Sequence, residues 1–255
     1  MVDRLCGRYG VNWMAESDSI HQIQFTILKD EVTVLLDTSG AGLHKRGYRQ
    51  NAGGAPIKET LAAAIADLMR VRRAETVMDP CCGSGTLLIE SALAAAGIAP
   101  GIRRRFAAMN WAQIPQTVWK DERARARELE HPESRFHAFG GDIDPDAIRL
   151  TAENAEKAAV GNRITAALGD LRQFRPVGES GIVLCNPPYG ERLLDVQAAE
   201  ELYRVMGRVF VPQKGFRYAI ISPHEEFERL FGRKADKRRK LYNGMLKCQL
   251  YMYFE

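Results

Sequence analysis

Short apolar runs bounded by glycine, proline and charged residues recur along the chain, and helical periodicity fills the intervals between them. The runs predicted as strands are Glu75–Asp79, Arg135–Phe139, Ile164–Leu168, Ile182–Cys185 and Phe216–Ser222. The predicted intervening helices cover 87–96, 146–159, 198–210 and 224–231. Strands alternating with helices predict an α/β fold with a mostly parallel sheet. Asn243-Gly244, between strand-like runs at 239–242 and 245–254, predicts a C-terminal hairpin that adds an antiparallel strand.

The N-terminal part has a different pattern. The runs at 23–28 and 32–36, separated by Lys29-Asp30-Glu31, predict a β-hairpin. Because an isolated hairpin is not stable, residues 1–40 are predicted to be the C-terminal remnant of a separate domain whose first part is missing. Residues 41–54, rich in glycine and basic residues, are predicted as a linker or loop, and 55–255 as the main domain. Pro56 is predicted to open a helix that runs to about Val71.

Composition narrows the class of protein. The chain has 255 residues, of which 45% are hydrophobic and 27% charged, as is usual for a soluble globular protein. No apolar run approaches membrane-spanning length. The five cysteines include no Cys-x-x-Cys pair, which favours reduced thiols, a cytoplasmic location and neither a disulfide frame nor a metal site. The net charge of +4 fits a nucleic-acid partner without requiring one.

A glycine turn between the first predicted strand of the main domain and its helix suits a nucleotide-like cofactor. The strand ends at Asp79, and Pro80-Cys81-Cys82-Gly83-Ser84-Gly85-Thr86 follows. It is not the dinucleotide fingerprint, because Leu88 occupies the place of the third glycine, and it lacks the Gly-Lys-Ser/Thr of a Walker loop. The glycines allow close backbone approach, and Asp79 can accept from a ligand amine. The amino acid part of S-adenosylmethionine needs both features.

Two further acids follow the next two predicted strands. Asp142 follows the strand that ends near Phe139, and one carboxylate there can accept both hydroxyls of a ribose. Asp170 follows Leu168 and is either an acceptor for an adenine amino group or a helix cap. The residue alone does not decide between these two roles.

The most informative stretch is Asn186-Pro187-Pro188-Tyr189, at the end of the buried-type run Ile182–Cys185. Asn186 offers a carbonyl oxygen, Pro187 offers a backbone carbonyl, and Tyr189 offers a ring for stacking. Two acceptors on the hydrogens of an aromatic amine would localise its lone pair for attack. A loop that uses proline only to end the strand is the alternative, and the cofactor-type turn upstream favours the amine-binding interpretation.

Two basic segments are candidates for RNA contacts. Arg46 and Arg49 flank Tyr48, an arrangement that can hold phosphates and stack a base, although a solvated linker explains this segment equally well. Eight basic residues and one acidic residue lie between 229 and 247, including Arg238, Arg239 and Lys240. A basic run is usually a solvated face, but its place beside a predicted amine site favours RNA.

As a set, these motifs resemble the THUMP-associated RNA guanine-N2 methyltransferases, a family that includes the N-terminal module of the bacterial 23S ribosomal RNA enzyme forming N2-methylguanosine. The resemblance rests on residues 43–49, 55–61, 79–90, 141–144, 186–192 and 241–244. It covers the chain from about Asp37 to the end. Residues 1–36 resemble the tail of a THUMP domain whose larger part is absent, which implies that RNA is bound weakly.

The resemblance implies a class I methyltransferase fold, a Rossmann-like, mostly parallel seven-stranded sheet with a C-terminal antiparallel hairpin, and S-adenosylmethionine as methyl donor. The implied cofactor-binding residues are Thr60, Asp79, Pro80, Gly83, Ser84, Gly85, Thr86, Asp142, Ile143, Asp170, Leu171 and Asn186. The implied catalytic residues are Asn186, Pro187, Pro188 and Tyr189, which would hold a flipped target base. The implied RNA-binding residues are Arg46, Tyr48, Arg49, Arg192, Arg238, Arg239 and Lys240.

The expected function is methyl transfer to the exocyclic N2 of a guanine in RNA, with 23S ribosomal RNA as the expected substrate and tRNA as an alternative. The Asn-Pro-Pro-Tyr corner serves an adenine N6 amine equally well, so an adenine-N6 DNA or RNA methyltransferase stays open. A non-catalytic RNA-binding module with the same fold is the third alternative. Neither a membrane nor a metal is expected as a partner.

Overall fold

The computed structural model describes residues 2–14, 19–49, 57–189 and 196–254. Pro56, predicted to open a helix, lies outside these ranges. The chain divides into two compact units, one formed by Met1–Gly42 with Arg105–Arg123 and the other by Leu43–Arg104 with Ala124–Glu255. The described residues include no helix long and apolar enough to span a bilayer.

The first unit contains helix α1 (Val2–Tyr9) and strands β1 (Gln22–Leu28) and β2 (Glu31–Asp37). The predicted hairpin is confirmed, since β1 pairs antiparallel with β2. Its two turn residues, Lys29 and Asp30, both have positive φ, as a two-residue turn matched to the twist of the strands requires. Helix α1 was not predicted, and none of its residues is buried.

Apolar side chains on both faces of the hairpin remain exposed. On one face, Phe25 and Val34 are 70% and 65% exposed, and on the other face Leu28 and Leu35 are 70% and 54% exposed. Within the same unit, residues 107 and 108 donate backbone hydrogen bonds to Ser39 and Thr38. Backbone hydrogen bonds thus join segment 105–123 to the residues that follow the hairpin.

The second unit alternates helices and strands as predicted. Its elements are α2 (Glu59–Leu68), β3 (Thr76–Asp79), α3 (Thr86–Ala95), β4 (His137–Asp142), α5 (Pro145–Lys157), β5 (Ile164–Leu168), β6 (Gly181–Cys185), α6 (Val196–Val209), β7 (Phe216–Ser222), α7 (Phe227–Phe231), β8 (Lys237–Asn243) and β9 (Leu246–Tyr253). Helix α4 (Gln116–Glu128), which alternates in charge, has no buried residue.

Within the described residues, the strands of this unit form a seven-stranded sheet in the order β5-β4-β3-β6-β7-β9-β8. Strands β3 to β7 pair in parallel, and β9 pairs antiparallel with both β7 and β8. The predicted mostly parallel sheet with an antiparallel hairpin is therefore confirmed. Strands β4 and β5 lie on one side of β3, and β6 and β7 lie on its other side. This reversal of strand order opens a crevice at the carboxyl ends of β3 and its neighbours.

Strand β6 is buried along its whole length because helices cover both faces of the sheet. Ile182 and Leu184 belong to the apolar cluster that includes α2 and α3, whereas Val183 and Cys185 belong to the cluster that includes α6 and α7. This two-sided burial explains why the strand reads as a continuous apolar run. It also brings Asn186 to the edge of a rigid, central strand.

Strand β4 is longer than predicted and continues through Gly140 and Gly141 to Asp142. A Cβ at Gly140 would lie 2.8 Å from a Leu88 side-chain carbon and 3.0 Å from the Cys82 sulfur. The glycines are therefore strand residues that let α3 and its preceding turn lie close to the sheet.

Candidate active site

Four polar residues predicted to contact the cofactor or the target amine lie at the carboxyl ends of neighbouring parallel strands. Asp79 ends β3, Asp142 ends β4, Asp170 follows β5 and Asn186 follows β6. The sheet order β5-β4-β3-β6 places these strand ends side by side. The structure therefore brings the predicted cofactor residues and the predicted amine-binding residue to one edge of the sheet.

The glycine turn from Pro80 to Thr86 is held in a conformation that requires glycine. Gly83 and Gly85 have φ of +53° and +76°. A Cβ at Gly83 would meet open space, whereas a Cβ at Gly85 would lie 2.8 Å from the Thr151 side chain. Gly83 thus leaves room for a ligand at the backbone, and Gly85 allows α5 to approach.

Two buried side chains of α5 hold this turn by donating hydrogen bonds to its backbone carbonyls. The Thr151 hydroxyl donates to the Gly83 carbonyl at 2.8 Å, and the Asn154 amide donates to the Ser84 carbonyl at 3.0 Å. Both residues are fully buried. They were not among the predicted site residues, although they lie three positions apart in the predicted helix 146–159 and so share one of its faces. Polar residues on a buried stripe are the signal that could have found them.

Asp142 connects the turn to β4. Its Oδ2 accepts a hydrogen bond from the Gly83 N–H at 2.9 Å, and its Oδ1 accepts from the Asp144 N–H at 3.1 Å. Each carboxylate oxygen has a second lone pair, so both can still accept from ligand hydroxyls. The carboxylate is therefore held in one orientation before any ligand binds.

Asp79 is a fully buried acid whose pKa is raised to about 8. Burial is the main cause, the nearby Asp142 carboxylate adds to it, and the hydrogen bond from the Cys81 N–H opposes it. Among the described residues, no lysine or arginine forms an ion pair with Asp79. A cationic ligand group would therefore find a carboxyl group whose ionisation it can stabilise.

Asp170 acts as a cap, the alternative that the sequence left open. Its Oδ1 accepts from the Arg172 N–H at 2.8 Å at the start of a 3-10 turn, and this hydrogen bond is the main cause that lowers the pKa of Asp170. Leu171 is buried, whereas Ile143, after β4, is 73% exposed. Capping leaves oxygen lone pairs free, so the predicted adenine contact stays a prediction.

Asn186 has the feature that matters most for chemistry. Its Oδ1 atom is buried and has no hydrogen-bond partner in the described part of the protein. Pro187 beside it is buried, and Pro188 is half-buried. A buried carbonyl oxygen without a partner is costly, so its persistence at the end of a rigid strand points to a ligand donor.

Tyr189 is held by a residue from the other end of the domain. The side-chain amide of Asn243 donates to the Tyr189 hydroxyl at 2.9 Å, and both residues are almost completely buried. Asn243 was predicted only as half of an Asn-Gly turn. The structure confirms the hairpin, but its turn residues are Gly244 and Met245, and Asn243 is the last residue of β8.

The predicted RNA contacts of Arg46, Tyr48 and Arg49 are not supported. Tyr48 is 3% exposed, and its hydroxyl donates to Glu90 at 3.0 Å. A ring this enclosed has no free face for a base. Arg46 also reaches Glu90, at 3.5 Å.

Arg49 links the same segment to helices α2 and α3. It pairs with Glu59 at 3.0 Å and donates to Thr86 Oγ1 at 3.2 Å. Glu90, a buried acid in the mostly apolar helix α3, could have indicated this pairing from the sequence, because a buried carboxylate needs partners. Thr60, next to Glu59, is exposed in the first turn of α2.

The other predicted RNA residues lie on the edge strand β8. Arg238, Arg239 and Lys240 are all exposed. Arg238 forms an ion pair with Glu228 at 3.3 Å. Arg192 lies outside the described residues. Among the residues that the structure describes, no group of three or more His, Cys, Asp or Glu side chains could hold a metal ion.

Comparison with known proteins identifies the relatives of this chain. The family model described as RMKL-like, methyltransferase domain, matches residues 46–252. A Bacillus subtilis protein named "Putative RNA methyltransferase YpsC" is 40% identical over 243 residues, 95% of this chain and 63% of that protein. The Shewanella baltica "Ribosomal RNA large subunit methyltransferase K/L" is 40% identical over 230 residues, 87% of this chain and 32% of that protein. The chain thus spans less than two thirds of either relative.

Two solved structures have the same fold. A Listeria monocytogenes protein described as a predicted N6-adenine-specific DNA methylase is 42% identical, with a TM-score of 0.90 over 99% of this chain and 66% of that one. The protein SMU.472, solved with S-adenosylhomocysteine, is 36% identical, with a TM-score of 0.91 over 99% of this chain and 67% of that one. These likenesses confirm the predicted class I methyltransferase fold.

Proposed function

Because this chain belongs to the RMKL-like methyltransferase domain family, we propose that it transfers a methyl group from S-adenosylmethionine to the exocyclic N2 amine of a guanine in RNA. The proposed substrate is 23S ribosomal RNA. The observation that carries the proposal is the buried Oδ1 of Asn186 at the crevice, which has no hydrogen-bond partner among the described residues. An aromatic amine supplies the N–H donor that this oxygen lacks.

The residues at the crevice fit the cofactor. Open space beside Gly83 admits a ligand close to the backbone, the oriented Asp142 carboxylate suits ribose hydroxyls, and Asp79 suits a cationic amino group. S-adenosylmethionine supplies an electrophilic methyl group on a sulfonium. The SMU.472 structure, which contains S-adenosylhomocysteine, supports this assignment.

At the acceptor side, the chain's own groups act by orientation. Asn186 Oδ1 and the Pro187 carbonyl would accept the two N–H groups of the amine and localise its lone pair. Removing one such preorganised polar group from an active site typically costs a factor of about 10² to 10³ in rate. No side-chain base is required before attack, since the amine loses its proton after the new bond forms.

The choice of guanine N2 in ribosomal RNA rests on the family resemblance and on the name of the Shewanella relative. The corner would accept an adenine N6 amine equally well, and the Listeria protein is described as a predicted N6-adenine-specific DNA methylase. Adenine-N6 methylation is therefore the competing assignment, and methylation of tRNA guanine is a variant of the proposed one.

The decisive experiment measures tritium transfer from labelled S-adenosylmethionine to deproteinised ribosomal RNA, tRNA and DNA in parallel, followed by digestion to nucleosides. Label in N2-methylguanosine from ribosomal RNA is the expected result. Label in N6-methyladenosine alone would overturn the proposal in favour of the adenine alternative. No label, together with no cofactor binding by calorimetry, would identify a non-catalytic module.

We also propose that residues 1–40 are a THUMP remnant that helps to bind RNA, and that the protein acts in the cytoplasm. The exposed apolar hairpin β1–β2 is consistent with a fragment of a larger domain. Removing residues 1–40 should lower the affinity for RNA in a gel-shift assay, and unchanged affinity would contradict this role. Cell fractionation tests the location.

A further inference from the structure

The C-terminal hairpin β8–β9 separates its basic side chains onto two faces. Residues directly opposite each other in an antiparallel pair share a face, and residues two apart on one strand do so as well. Arg238 pairs with Tyr251, Lys240 with Gln249, and Tyr242 with Lys247. Arg238, Lys240, Tyr242 and Lys247 therefore lie on one face, which is called here the hairpin platform.

The charged and polar side chains of the hairpin line two different cavities. Arg238, Lys247, Gln249 and Tyr251 line a cavity of about 490 Å³ on the platform side. Lys237 lines a different cavity together with Met252 and Phe254, on the opposite face. Arg239 lies two residues after Lys237 and shares that opposite face, where Leu241 packs into the core.

The platform-side cavity reaches the catalytic corner. Tyr189, which ends the Asn-Pro-Pro-Tyr motif, is one of its lining residues. Its volume lies within the range of about 300 to 1,000 Å³ that is usual for small-molecule sites. Its wall therefore runs from the corner, where the amine is proposed to react, to the exposed face of the hairpin.

The platform combines positive charge with an exposed ring. The Lys240 ammonium lies 5.4 Å from the centre of the Tyr242 ring, and Tyr242 is 53% exposed. Near the cavity, Glu228 pairs with Arg238 at 3.3 Å, and a Glu200 carboxylate oxygen lies 3.6 Å from the His224 ring. Glu225 also lines the cavity. An exposed aromatic ring between lysines is the arrangement that proteins use to bind single-stranded nucleic acid.

We propose that the hairpin platform binds the single-stranded RNA that flanks the target nucleotide, with a base stacked on Tyr242 and phosphates near Lys240 and Lys247. The flanking strand runs from the corner along the platform-side cavity and across the hairpin. This inference rests on the proposed function, because it takes RNA as the substrate. It makes Tyr242 an RNA-binding residue. It also assigns RNA binding to Lys240 and not to Lys237 and Arg239, which lie on the opposite face of the same strand.

The test measures binding of a fluorescein-labelled, guanine-containing single-stranded oligoribonucleotide to the 255-residue chain by fluorescence anisotropy, with S-adenosylhomocysteine present so that no methyl is transferred. Tyr242→Ala should weaken binding about tenfold, and Tyr242→Phe should restore it, because stacking needs only the ring. Lys240→Glu should weaken binding and flatten the plot of log affinity against log salt concentration by about 0.7 for each phosphate that the variant no longer neutralises.

Lys237→Glu is the matched control, since it makes the same charge change on the same strand but on the opposite face. It should change affinity by no more than about twofold. Equal losses for Lys237→Glu and Lys240→Glu would overturn the platform and leave only a net-charge effect. An unchanged affinity for Tyr242→Ala would also overturn it. So would a Tyr242→Ala variant that loses as much affinity for duplex DNA as for the single-stranded RNA.

A second readout is independent of affinity. Ultraviolet cross-linking of RNA that contains 5-iodouridine should attach the RNA to Tyr242, as mapped by mass spectrometry, and cross-links confined to other surfaces would contradict the proposal. The two proposals fail differently. If the wild-type chain transfers no methyl to RNA yet cross-links at Tyr242, only the proposed function fails. If it methylates RNA while platform variants bind normally, only the platform fails.

Discussion

The two halves of the crevice differ in how far their polar groups are satisfied before a ligand binds. The glycine-turn half comprises residues 79–86 with Asp142, and its backbone is held by Thr151, Asn154 and Asp142 itself. The corner half comprises residues 186–189, where Asn186 Oδ1 has no partner among the described residues and Tyr189 is held by Asn243. Under the proposed function, one half is shaped in advance for the cofactor, and the other keeps an open acceptor for the reacting amine.

This difference explains why the two halves should respond differently to substitution. The hydrogen bonds that hold the glycine-turn backbone contribute to folding, so their loss lowers stability as well as binding. An unsatisfied buried acceptor costs stability, so its loss should affect chemistry alone. The comparison therefore turns on whether function and stability can be separated in each half.

The largest effect is expected for Asn186→Ala, which removes the open acceptor. We expect kcat to fall by about 10² or more, because the amine loses a group that localises its lone pair. Cofactor affinity, measured by calorimetry, should be largely kept. The unfolding temperature should not fall, and a strong loss of stability would show that Asn186 has a structural partner instead.

A smaller effect is expected for Asp142→Ala in the glycine-turn half. The variant loses the acceptor for the Gly83 N–H and the proposed ribose contact, so the cofactor Kd should rise about tenfold or more. Stability should fall by about 1 to 3 kcal/mol, because the Gly83 N–H loses its partner. Calorimetry and urea denaturation measure the two quantities. Loss of methyl transfer at saturating cofactor with unchanged Kd would reverse the roles of the two halves.

Asp79→Asn should reveal a pH dependence of stability. The folded pKa of about 8 lies above the ordinary value of 3.8, so the unfolded chain loses this proton first as the pH rises. The stabilising contribution is therefore fully present below about pH 4 and lost as the pH rises through about 8. In the cofactor-free protein, the free energy of unfolding should fall over this window by at most about 1.4 kcal/mol per pH unit.

Asp79→Asn should remove that slope and match or exceed the wild type in stability above pH 8, while cofactor binding is lost. Urea denaturation at a series of pH values measures the slope. The control is Asp146→Asn, an exposed acid on α5, which should leave the slope unchanged. Parallel profiles for wild type and Asp79→Asn would mean that Asp79 is already ionised in the folded protein.

The smallest effect is expected for Asn243→Ala, which removes the hydrogen bond that Asn243 donates to the Tyr189 hydroxyl. We expect kcat to fall several-fold with cofactor affinity unchanged, since Asn243 acts through Tyr189 as a positioning residue. Tyr189→Phe should lose as much, and the double variant should lose no more than either alone. Asn243→Asp should recover activity, because the tyrosine hydroxyl can then donate to the carboxylate. Additive losses would contradict the coupling.

The order of strands and helices, the glycine turn and the Asn-Pro-Pro-Tyr corner were all accessible from local pattern. Apolar runs such as Ile182–Cys185 keep their identity because a strand covered on both faces must be apolar throughout. The carboxyl ends of parallel strands meet at one edge of a sheet, so the positions of Asp79, Asp142 and Asn186 follow from the predicted topology.

Pairing over long sequence separations was not accessible in the same way. The partner of Tyr48 is Glu90, the partner of Gly83 is Thr151, and the partner of Tyr189 is Asn243, each more than forty positions away. The type of a polar side chain tells which groups it can hydrogen-bond. The sequence does not tell which distant group will lie beside that side chain in the folded protein. For that reason Tyr48 was expected to contact RNA and lies in the core, and Asn243 was expected in a turn and donates a hydrogen bond to Tyr189.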